Sequence, residues 1–404
     1  MAAAQRRGTA SLLAILIAAT ALGPLSLNIF IPSIPGLQTT FAADYGTVQL
    51  VLTLYLVGLA GAQLVHGPLS DRFGRRPVML GGLALHLVGS AACLAAPSIG
   101  WLIAGRIVQA IGGCVGMVLG RAIVRDLFDR ERTASILAYI TMAMMVAPML
   151  SPTIGGFLDV WFGWRSSFAF VLGLGALLAA ATWKWLPETL AQPAEGGGFH
   201  TILPDFGRLL RQRIFCGYSL QIASTALTFM AFLGSAPYVT VRLLDRPPSD
   251  YGLYFIPIAG AYIVANFAAA RISPRVGIDR MITLGVLITV AGSVAGVALH
   301  LAGQLSMWTV FGPMTLIAFG HGFCLPTGFA GAVSVDPRLA GAAAGLSGFL
   351  QMATGAAASF VVGSLMTTSA APMVAAVLIG TLCATAAHVG GVLMAKRPDD
   401  PPAA

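Results

Sequence analysis

Arg106 is a charged side chain inside an apolar run, about 100–120, that is long enough to cross a bilayer. A central arginine costs at least about 2.5–3.5 kcal/mol to insert, so its guanidinium must face a protein interior or a water-filled cavity. There it either ties helices together through backbone carbonyls and Gln109, or supplies positive charge to a binding cavity. Histidine titrates near neutral pH, so His321 in another apolar run is a candidate proton carrier, with ordinary packing as the alternative. Arg106 is therefore a candidate source of positive charge in a cavity, and His321 is a candidate site for a proton.

Other kinds of chemistry are not indicated by the sequence. It contains no H-E-x-x-H or G-x-S-x-G motif and no phosphate-binding loop, and all 15 acidic residues can be placed outside the apolar runs. The five cysteines are far apart and lie within apolar runs, which favours packing over a disulfide framework or a metal site. We therefore predict no enzyme activity, no cofactor and no metal.

Polar and aromatic side chains within the apolar runs are candidate ligand contacts. Polar groups without partners are costly in a bilayer, so such residues either line a cavity or hold helices together. The predicted cavity residues are Asn28, Tyr55, Arg106, Gln109, Gln221, Phe229, Tyr254, Asn266, His321 and Gln351.

The elements that position these residues are predicted to be transmembrane helices. The chain is 57% hydrophobic and only 9% charged, which excludes the surface of a soluble globular protein. The first apolar run is too long for the core of a signal peptide and is interpreted as an uncleaved helix. Twelve spans are predicted, at about 11–36, 47–66, 78–97, 100–120, 133–157, 166–186, 213–240, 250–270, 280–300, 306–330, 341–366 and 371–395.

The distribution of basic residues predicts the orientation of these spans. With the N-terminus inside, 19 of the 23 lysines and arginines fall on the cytoplasmic side and three on the other side, leaving Arg106 within a span. Both termini are therefore predicted to be cytoplasmic. The net charge of +8 reflects this orientation, and no nucleic-acid partner is predicted.

A charged segment, residues 67–77, separates the second and third spans and is predicted to be a short cytoplasmic loop. Gly74 would allow a tight turn, and the arginines would hold both helix ends at the anionic leaflet. A plain surface loop would not require Asp71 among these basic residues, so we favour a conformational latch. The latch residues are Gly67, Asp71, Arg72, Gly74, Arg75 and Arg76.

The fifth span contains a cluster of helix-bending and small residues. Pro148 and Pro152 stand four residues apart and each removes a backbone hydrogen bond, so a bend is predicted there. Gly155 and Gly156 follow within one turn and allow close helix packing. A gating hinge and ordinary packing both remain open for this region.

The two halves of the chain show a weak repeat. When Gly74 is aligned with Gly277, Arg72 meets Arg275 at the same offset of 203 residues. The predicted domains are an N-terminal six-helix bundle at 1–186, a cytoplasmic linker at 187–212, and a C-terminal six-helix bundle with a short tail at 213–404.

Several motifs of the first half resemble those of the major facilitator superfamily. The segment from Gly67 to Arg76 matches its loop motif, and Leu102, Arg106, Gln109, Gly112 and Gly113 are similar to its fourth-helix motif. Residues 147–156 resemble the fifth-helix motif of its antiporters, with Ser151 at a common glycine position. Trp164-Arg165 and the segment Leu186–Leu190 add to a likeness to the Bcr/CflA-like multidrug efflux branch.

This resemblance implies an all-α membrane fold of twelve helices in two pseudo-symmetric six-helix bundles. It implies that Asp71 contacts a helix of the other half and basic residues at the end of the fourth helix, here Arg121 or Arg125. Helices one, four, seven and ten line the central cavity in this family, which favours His321 among the histidines. The resemblance therefore makes Arg106 and His321 the candidate proton-coupling residues. Relatives commonly have aspartate where this chain has Asn28, so neither the usual proton site nor an ion pair with cationic drugs is assured.

The resemblance predicts a monomeric, multi-pass protein of a bacterial-type inner membrane that exports amphiphilic small molecules by alternating access, with protons as the coupling ion. Asn28 shifts the predicted substrates toward neutral or weakly anionic compounds, phenicol- or bicyclomycin-like. The main alternative on the same fold is an uptake carrier or facilitator for a small metabolite. The partners are then the substrate, protons and the lipid bilayer.

Overall fold

The computed structural model describes residues 2–127, 147–148, 150–190, 202–336 and 339–395, and these contain helices and no strand. Short turns extend some of the helices: a 3₁₀ turn at Ile31–Ser33 follows α1, and π-helical turns at Val239–Leu243 and Val389–Leu393 follow α10 and α15. The helices are α1 Ala2–Asn28, α2 Ile34–Phe41, α3 Tyr45–Phe73, α4 Arg75–Leu94, α5 Ile99–Gly113, α6 Val115–Leu127, α7 150–162, α8 Arg165–Trp185, α9 Ile202–Leu210, α10 Arg213–Tyr238, α11 Pro248–Val276, α12 Ile278–Leu301, α13 Met307–Ser334, α14 Ala340–Leu365 and α15 Ala371–His388.

Within the described residues, eleven helical segments are long and apolar enough to cross a membrane. They correspond to eleven of the twelve predicted spans, and most of the fifth predicted span lies outside the described residues. Large apolar side chains remain exposed on these helices, for example Leu177 at 72% and Leu287 at 62%. Such surfaces suit lipid tails rather than water.

Two predicted boundaries are wrong in an informative way. The segment 67–77 is helical except for Gly74, because α3 continues to Phe73 and α4 begins at Arg75. Gly74 has φ +98° and ψ 153°, a region that essentially only glycine adopts, and it completes the turn alone. The first span also runs to Phe41, because a 3₁₀ turn carries the chain from α1 into α2.

Side-chain caps begin several of the spans. The Asp44 carboxylate accepts a hydrogen bond from the Thr47 N–H at 2.9 Å at the start of α3. Ser306 begins α13 with a reciprocal capping box to Thr309. Each such cap satisfies backbone N–H groups that a helix end leaves open, and typically contributes about 1 kcal/mol.

The chain divides into two compact units. The first comprises residues 1–197 together with 246–253, and the second comprises 198–245 together with 254–404. The first turn of α11 therefore packs within the first unit, while the rest of that helix belongs to the second. The domain limits 1–186, 187–212 and 213–404 stay a prediction.

The 203-residue repeat is visible in the turns and helix contacts of each unit. Gly277, the counterpart of Gly74, has φ +91° and likewise forms the whole connection between two helices. In the first unit Gly82 in α4 allows close packing against Val115, and its counterpart Gly285 in α12 packs against Cys324. The two units thus use small residues at equivalent positions.

Candidate functional site: a buried arginine and a charged helix end

The guanidinium of Arg106 lies in the interior of the first unit and is only 1% exposed. Its Nη1 donates to the backbone carbonyl of Ser26 at 2.9 Å and to Oε1 of Gln109 at 2.6 Å. Neither ion pair found in the described residues involves Arg106. Neutral acceptors on α5 and at Ser26 of α1 therefore hold the positive charge.

Three aromatic rings complete the surroundings of this guanidinium. Cζ of Arg106 lies 4.0 Å from the centre of the Tyr55 ring, 5.6 Å from that of Phe30 and 5.8 Å from that of Phe168. The Tyr55 hydroxyl in turn donates to the carbonyl of Gly23 at 2.9 Å. Cation–π attraction strengthens when the cation is desolvated, so the rings offset part of the burial cost.

Further polar groups extend from Gln109 into α4. Nε2 of Gln109 donates to Oγ of Ser90 at 2.8 Å, and the Ser90 hydroxyl donates to the carbonyl of His86 at 2.7 Å. Nδ1 of His86 lies 3.0 Å from the Gln109 carbonyl and donates to it in the tautomer that carries a proton there. His86 is fully buried, so this network links α4 and α5 inside the unit.

Sequence reasoning identified Tyr55, Arg106 and Gln109, and the structure brings these three together. It missed Ser26, Phe30, Ser90 and Phe168 as partners of this cluster. One signal was present, because His86 and Ser90 stand four residues apart and share a face of α4. Asn28 is 5% exposed, and its Nδ2 donates a hydrogen bond to the carbonyl of Pro24 within the same helix at 2.7 Å.

The remaining predicted cavity residues lie in the second unit, and the hydrogen bonds described for them reach other residues. Gln221 is buried and donates to Oγ1 of Thr225, one turn along α10, at 3.1 Å. Asn266 donates to the carbonyl of Tyr262 at 3.0 Å. His321 is 3% exposed, and Nδ1 has no hydrogen-bond partner among the described residues. Gln351 is half-buried.

Aromatic residues of the second unit pair with other rings. The Tyr254 ring lies 5.0 Å from Trp308 and 5.8 Å from Phe311, measured between ring centres. The Phe229 ring lies 6.4 Å from that of Phe255. These distances are typical of aromatic packing, so both residues hold helices together.

The α3–α4 turn of the first unit carries a charge cluster centred on Arg75. Its Nη1 lies 2.6 Å from Oδ1 of Asp71 and also donates to Oγ of Ser70 at 2.6 Å. Its Nε donates to Oδ2 of Asp126, at the end of α6, at 3.0 Å. Among the described side chains, the ion-pair partner of Asp71 is thus Arg75, whereas Arg121 or Arg125 was expected. The side chain of Arg125 lies outside the described residues, while Arg121 is exposed.

Glu188 ties the segment after α8 to this cluster. Its carboxylate accepts hydrogen bonds from the backbone N–H of Arg75 at 2.9 Å and of Arg76 at 3.1 Å. Partial burial alone would raise the pKa of Glu188, but the N–H groups of Leu190, Arg75, Arg76 and Thr189 outweigh it and lower the pKa below its ordinary value. The sequence motif contained Glu188, yet its role as the cap of α4 was not predicted.

The other members of the latch set are placed around this cluster. Gly67 lies within α3, where its carbonyl accepts a hydrogen bond from Ser70 at 2.8 Å. Arg72 is exposed and stacks on Phe73, with Cζ 5.4 Å from the ring centre. Arg76 donates to the carbonyl of Trp183 at 2.7 Å. Arg75 and Arg76 therefore connect helix ends that are far apart in sequence.

The described end of the fifth span packs closely on two neighbours within the first unit. Gly155 faces the carbonyl of Ile29 so closely that no side chain would fit between them. A Cβ added at Gly156 would lie 2.7 Å from the carbonyl oxygen of Pro248, at the start of α11. Thr153 donates to the carbonyl of Gly252 at 2.8 Å. Pro152 is buried beside these contacts and Pro148 is half-buried.

In the described part of the chain, eleven helical spans with repeated turns between them form the architecture of a multi-pass membrane protein. The profile of the Major Facilitator Superfamily matches residues 16–359, and the chain belongs to this family. The predicted family and fold class, a twelve-helix architecture, are thereby confirmed.

Relatives of known name lie in the drug-resistance branch. The chain is 30% identical over 351 residues to multidrug resistance protein D of Escherichia coli (strain K12), covering 86% of this chain and 87% of that protein. It is 31% identical over 319 residues to the chloramphenicol resistance protein of Pseudomonas aeruginosa, covering 78% and 73%. It is 32% identical over 293 residues to multidrug transporter MdfA of Yersinia pestis bv. Antiqua (strain Angola), covering 71% of each.

Solved structures share the fold at low sequence identity. The xylose transporter XylE of E. coli in a partially occluded inward-open conformation aligns with a TM-score of 0.74 at 14% identity, covering 94% of this chain and 96% of that chain. A bacterial homologue of the lysosomal transporter Spinster, inward-facing and unoccupied, aligns with a TM-score of 0.71 at 16% identity, covering 96% and 95%. These similarities establish the architecture alone.

Proposed function

We propose that this chain is a proton-driven exporter of amphiphilic small molecules in a bacterial inner membrane, acting as a monomer with both termini in the cytoplasm. The observation that carries the proposal is its similarity, over 86% of its length, to a multidrug resistance protein of its own family. Chloramphenicol- or bicyclomycin-like compounds are the first substrates to test, because two relatives are named for resistance to them.

The charges within the spans support a preference for neutral or weakly anionic substrates. In the described spans, the acidic residues Asp71, Asp250 and Asp279 stand in terminal turns of their helices, and Asn28 is uncharged. Arg106 is therefore a positive charge in the middle of a span without a carboxylate partner. A cationic drug would meet repulsion from Arg106 and no compensating acid in the interior of the described spans.

Proton coupling is assigned to Arg106 and His321. An asparagine cannot carry a proton, so Asn28 cannot serve as the coupling site. His321 is buried in α13 with one ring nitrogen lacking a partner among the described groups, which leaves a position for a proton. Arg106 would respond through its charge rather than by losing its proton. In this scheme His321→Asn abolishes export of the substrate against its concentration gradient. The variant still exchanges substrate across the membrane.

Packing at the fifth span supports alternating access. Residues 153–156 contact the start of α11 through glycines and a single side-chain hydrogen bond from Thr153. Glycine surfaces meet without interlocking side chains, so such a contact can part and re-form. We assign Gly155 and Gly156 to packing, with Pro148 and Pro152 allowing the helix to bend.

Export is tested by expressing the chain in a bacterial strain that lacks its own drug efflux pumps. The intracellular concentration of chloramphenicol is expected to fall, and an uncoupler that collapses the proton gradient is expected to restore it. If the drug concentration is unchanged, or if the effect persists with the uncoupler, proton-driven export is wrong. Increased accumulation upon expression would instead identify an uptake carrier.

Asn28→Asp tests the charge argument in the same strain. The substitution places a carboxylate in a buried position of the first span, so export of a lipophilic cation such as ethidium is expected to increase. Ethidium fluorescence in cells reports the rate, and Asn28→Ser is the matched uncharged control. An identical ethidium efflux rate in both variants would contradict the assignment.

A further inference from the structure

The second unit has a membrane-level groove between α10 and α15 that the transport proposal does not use. The backbones of the two helices meet at Gly217 and Gly391, where a Cβ added to Gly217 would lie 2.6 Å from the carbonyl carbon of Gly391. Beside this crossing the helices separate, and small side chains such as Ala386 and Gly390 leave a groove of about 600 Å³. Its lining consists mainly of small and apolar side chains.

Two arginines stand at one end of this groove. Arg211 and Arg213 line it and are both exposed. No ion pair in the described part of the chain involves them. The groove lining contains no acidic side chain among the described residues. An anionic group would therefore find two guanidinium donors and no repulsion, while an ammonium group would find no carboxylate.

The position of the arginines relative to the bilayer points to a lipid. Arg213 is the first residue of α10, and α10 continues as an apolar span to Leu243. Leu210 and Leu220 flank the groove and are 53% and 54% exposed, so its rim is apolar. Cationic side chains at the end of a span, above an apolar groove, match the phosphate and the acyl chain of one amphiphile.

We propose that this groove binds one anionic phospholipid of the cytoplasmic leaflet. Its phosphate lies between Arg211 and Arg213, and one acyl chain lies between α10 and α15 along Ala386 and Gly390. The lipid joins the segment before α10 to the last span, so it stabilises the C-terminal unit independently of the transported substrate.

Native mass spectrometry of the purified full-length protein in detergent tests this binding. Titration with dioleoylphosphatidylglycerol is expected to give one retained lipid per protein, whereas dioleoylphosphatidylethanolamine is retained weakly. Arg211→Gln/Arg213→Gln is expected to weaken phosphatidylglycerol binding roughly thirtyfold, since each basic residue near anionic lipid contributes about a fivefold effect. Arg275→Gln/Arg280→Gln removes the same charge from another exposed cytoplasmic position and is expected to bind normally.

The acyl-chain half of the site has its own pair of variants. Ala386→Phe fills the groove from an exposed position and is expected to reduce lipid retention even with both arginines present. Leu382→Phe, on the same helix but outside the lining, is the control. Any of three results would overturn the proposal. The first is equal binding of phosphatidylglycerol by the wild type and Arg211→Gln/Arg213→Gln, and the second is equal retention of both lipids. The third is displacement of the lipid by inorganic phosphate alone. A dimer that buries Ala386 would assign the groove to a second copy instead.

Discussion

At the residue scale, the main finding is how a charge is stabilised without an opposite charge. Arg106 is held by the Ser26 carbonyl, the Gln109 amide and the face of Tyr55. Arg106 and Gln109 could be identified from the sequence, because they are polar residues close together in an apolar run. The Ser26 carbonyl was not predictable, because every residue has such a group and only helix packing determines which one the guanidinium reaches.

Gln109→Ala is expected to lower the midpoint of thermal unfolding of the purified protein. Removing the amide leaves Arg106 with one fewer acceptor, and a hydrogen bond to a charged group contributes about 1.5–3 kcal/mol. Gln351→Ala provides the control, because Gln351 is half-buried and makes no described side-chain hydrogen bond. Equal unfolding midpoints for the two variants would show that the Arg106–Gln109 bond contributes nothing to stability.

Glu188 gives a prediction that depends on pH. Its pKa is lowered in the folded state, so its contribution to stability is present above the ordinary carboxyl pKa and is lost as pH falls through the folded value. Glu188→Gln is therefore expected to be less stable than the wild type at pH 7, with the difference shrinking as the pH falls below about 4.5.

Unfolding midpoints between pH 3 and pH 7 test this dependence. Asp245→Asn makes the same carboxylate-to-amide change in an exposed turn and is expected to track the wild type throughout. A difference between Glu188→Gln and the wild type that stays constant down to pH 3 would rule out the carboxylate cap as its cause.

At the scale of elements, α11 stands out because its first turn packs in the first unit and its remainder in the second. The contact with the fifth span uses Thr153, Gly156 and Gly252, which bring two backbones together. The sequence predicted the small residues of the fifth span. It did not predict their partner, since Gly252 lies 99 residues after Thr153 and only the fold makes them neighbours.

Gly252→Ala is expected to reduce the drug export rate at least tenfold. The new Cβ would lie 2.6 Å from Cα of Thr153, so the backbones must separate and the contact cannot re-form as it does now. Gly173→Ala in α8 is the matched control, because its added methyl group meets nothing within 4 Å. Efflux from pump-deficient cells with matched membrane expression measures both, and unimpaired export by Gly252→Ala would exclude a role for this contact in the cycle.

At the scale of the whole molecule, duplication explains why similar turns recur at an offset of 203 residues. Gly74 and Gly277 adopt φ +98° and +91°, and each connects two spans by itself. The surroundings differ, because only Gly74 lies against the carboxylate of Glu188, whereas a Cβ at Gly277 would meet nothing within 4 Å. The units thus share backbone geometry while the first adds a charged clamp.

Gly74→Ala is expected to destabilise the protein more than Gly277→Ala. Both substitutions force a side chain into a backbone region that costs about 1–3 kcal/mol. A Cβ at Gly74 would also lie 2.6 Å from Oε2 of Glu188 and disturb the cap of α4. Unfolding midpoints of the two variants measure the difference, and it is expected to disappear in the Glu188→Ala background. Equal midpoints in the wild-type background would contradict this account.

The sequence by itself determined the membrane class, the family and all eleven described spans, because these follow from local properties: apolar length, charge placement and motif spacing. It also identified Arg106 as a buried charge, since the cost of exposing it to lipid leaves no other position. Tertiary structure decided which groups hold that charge, that Arg75 rather than Arg121 pairs with Asp71, and that Glu188 caps α4. The longest of these contacts joins residues 113 positions apart, and its geometry depends on helix packing that no local pattern encodes.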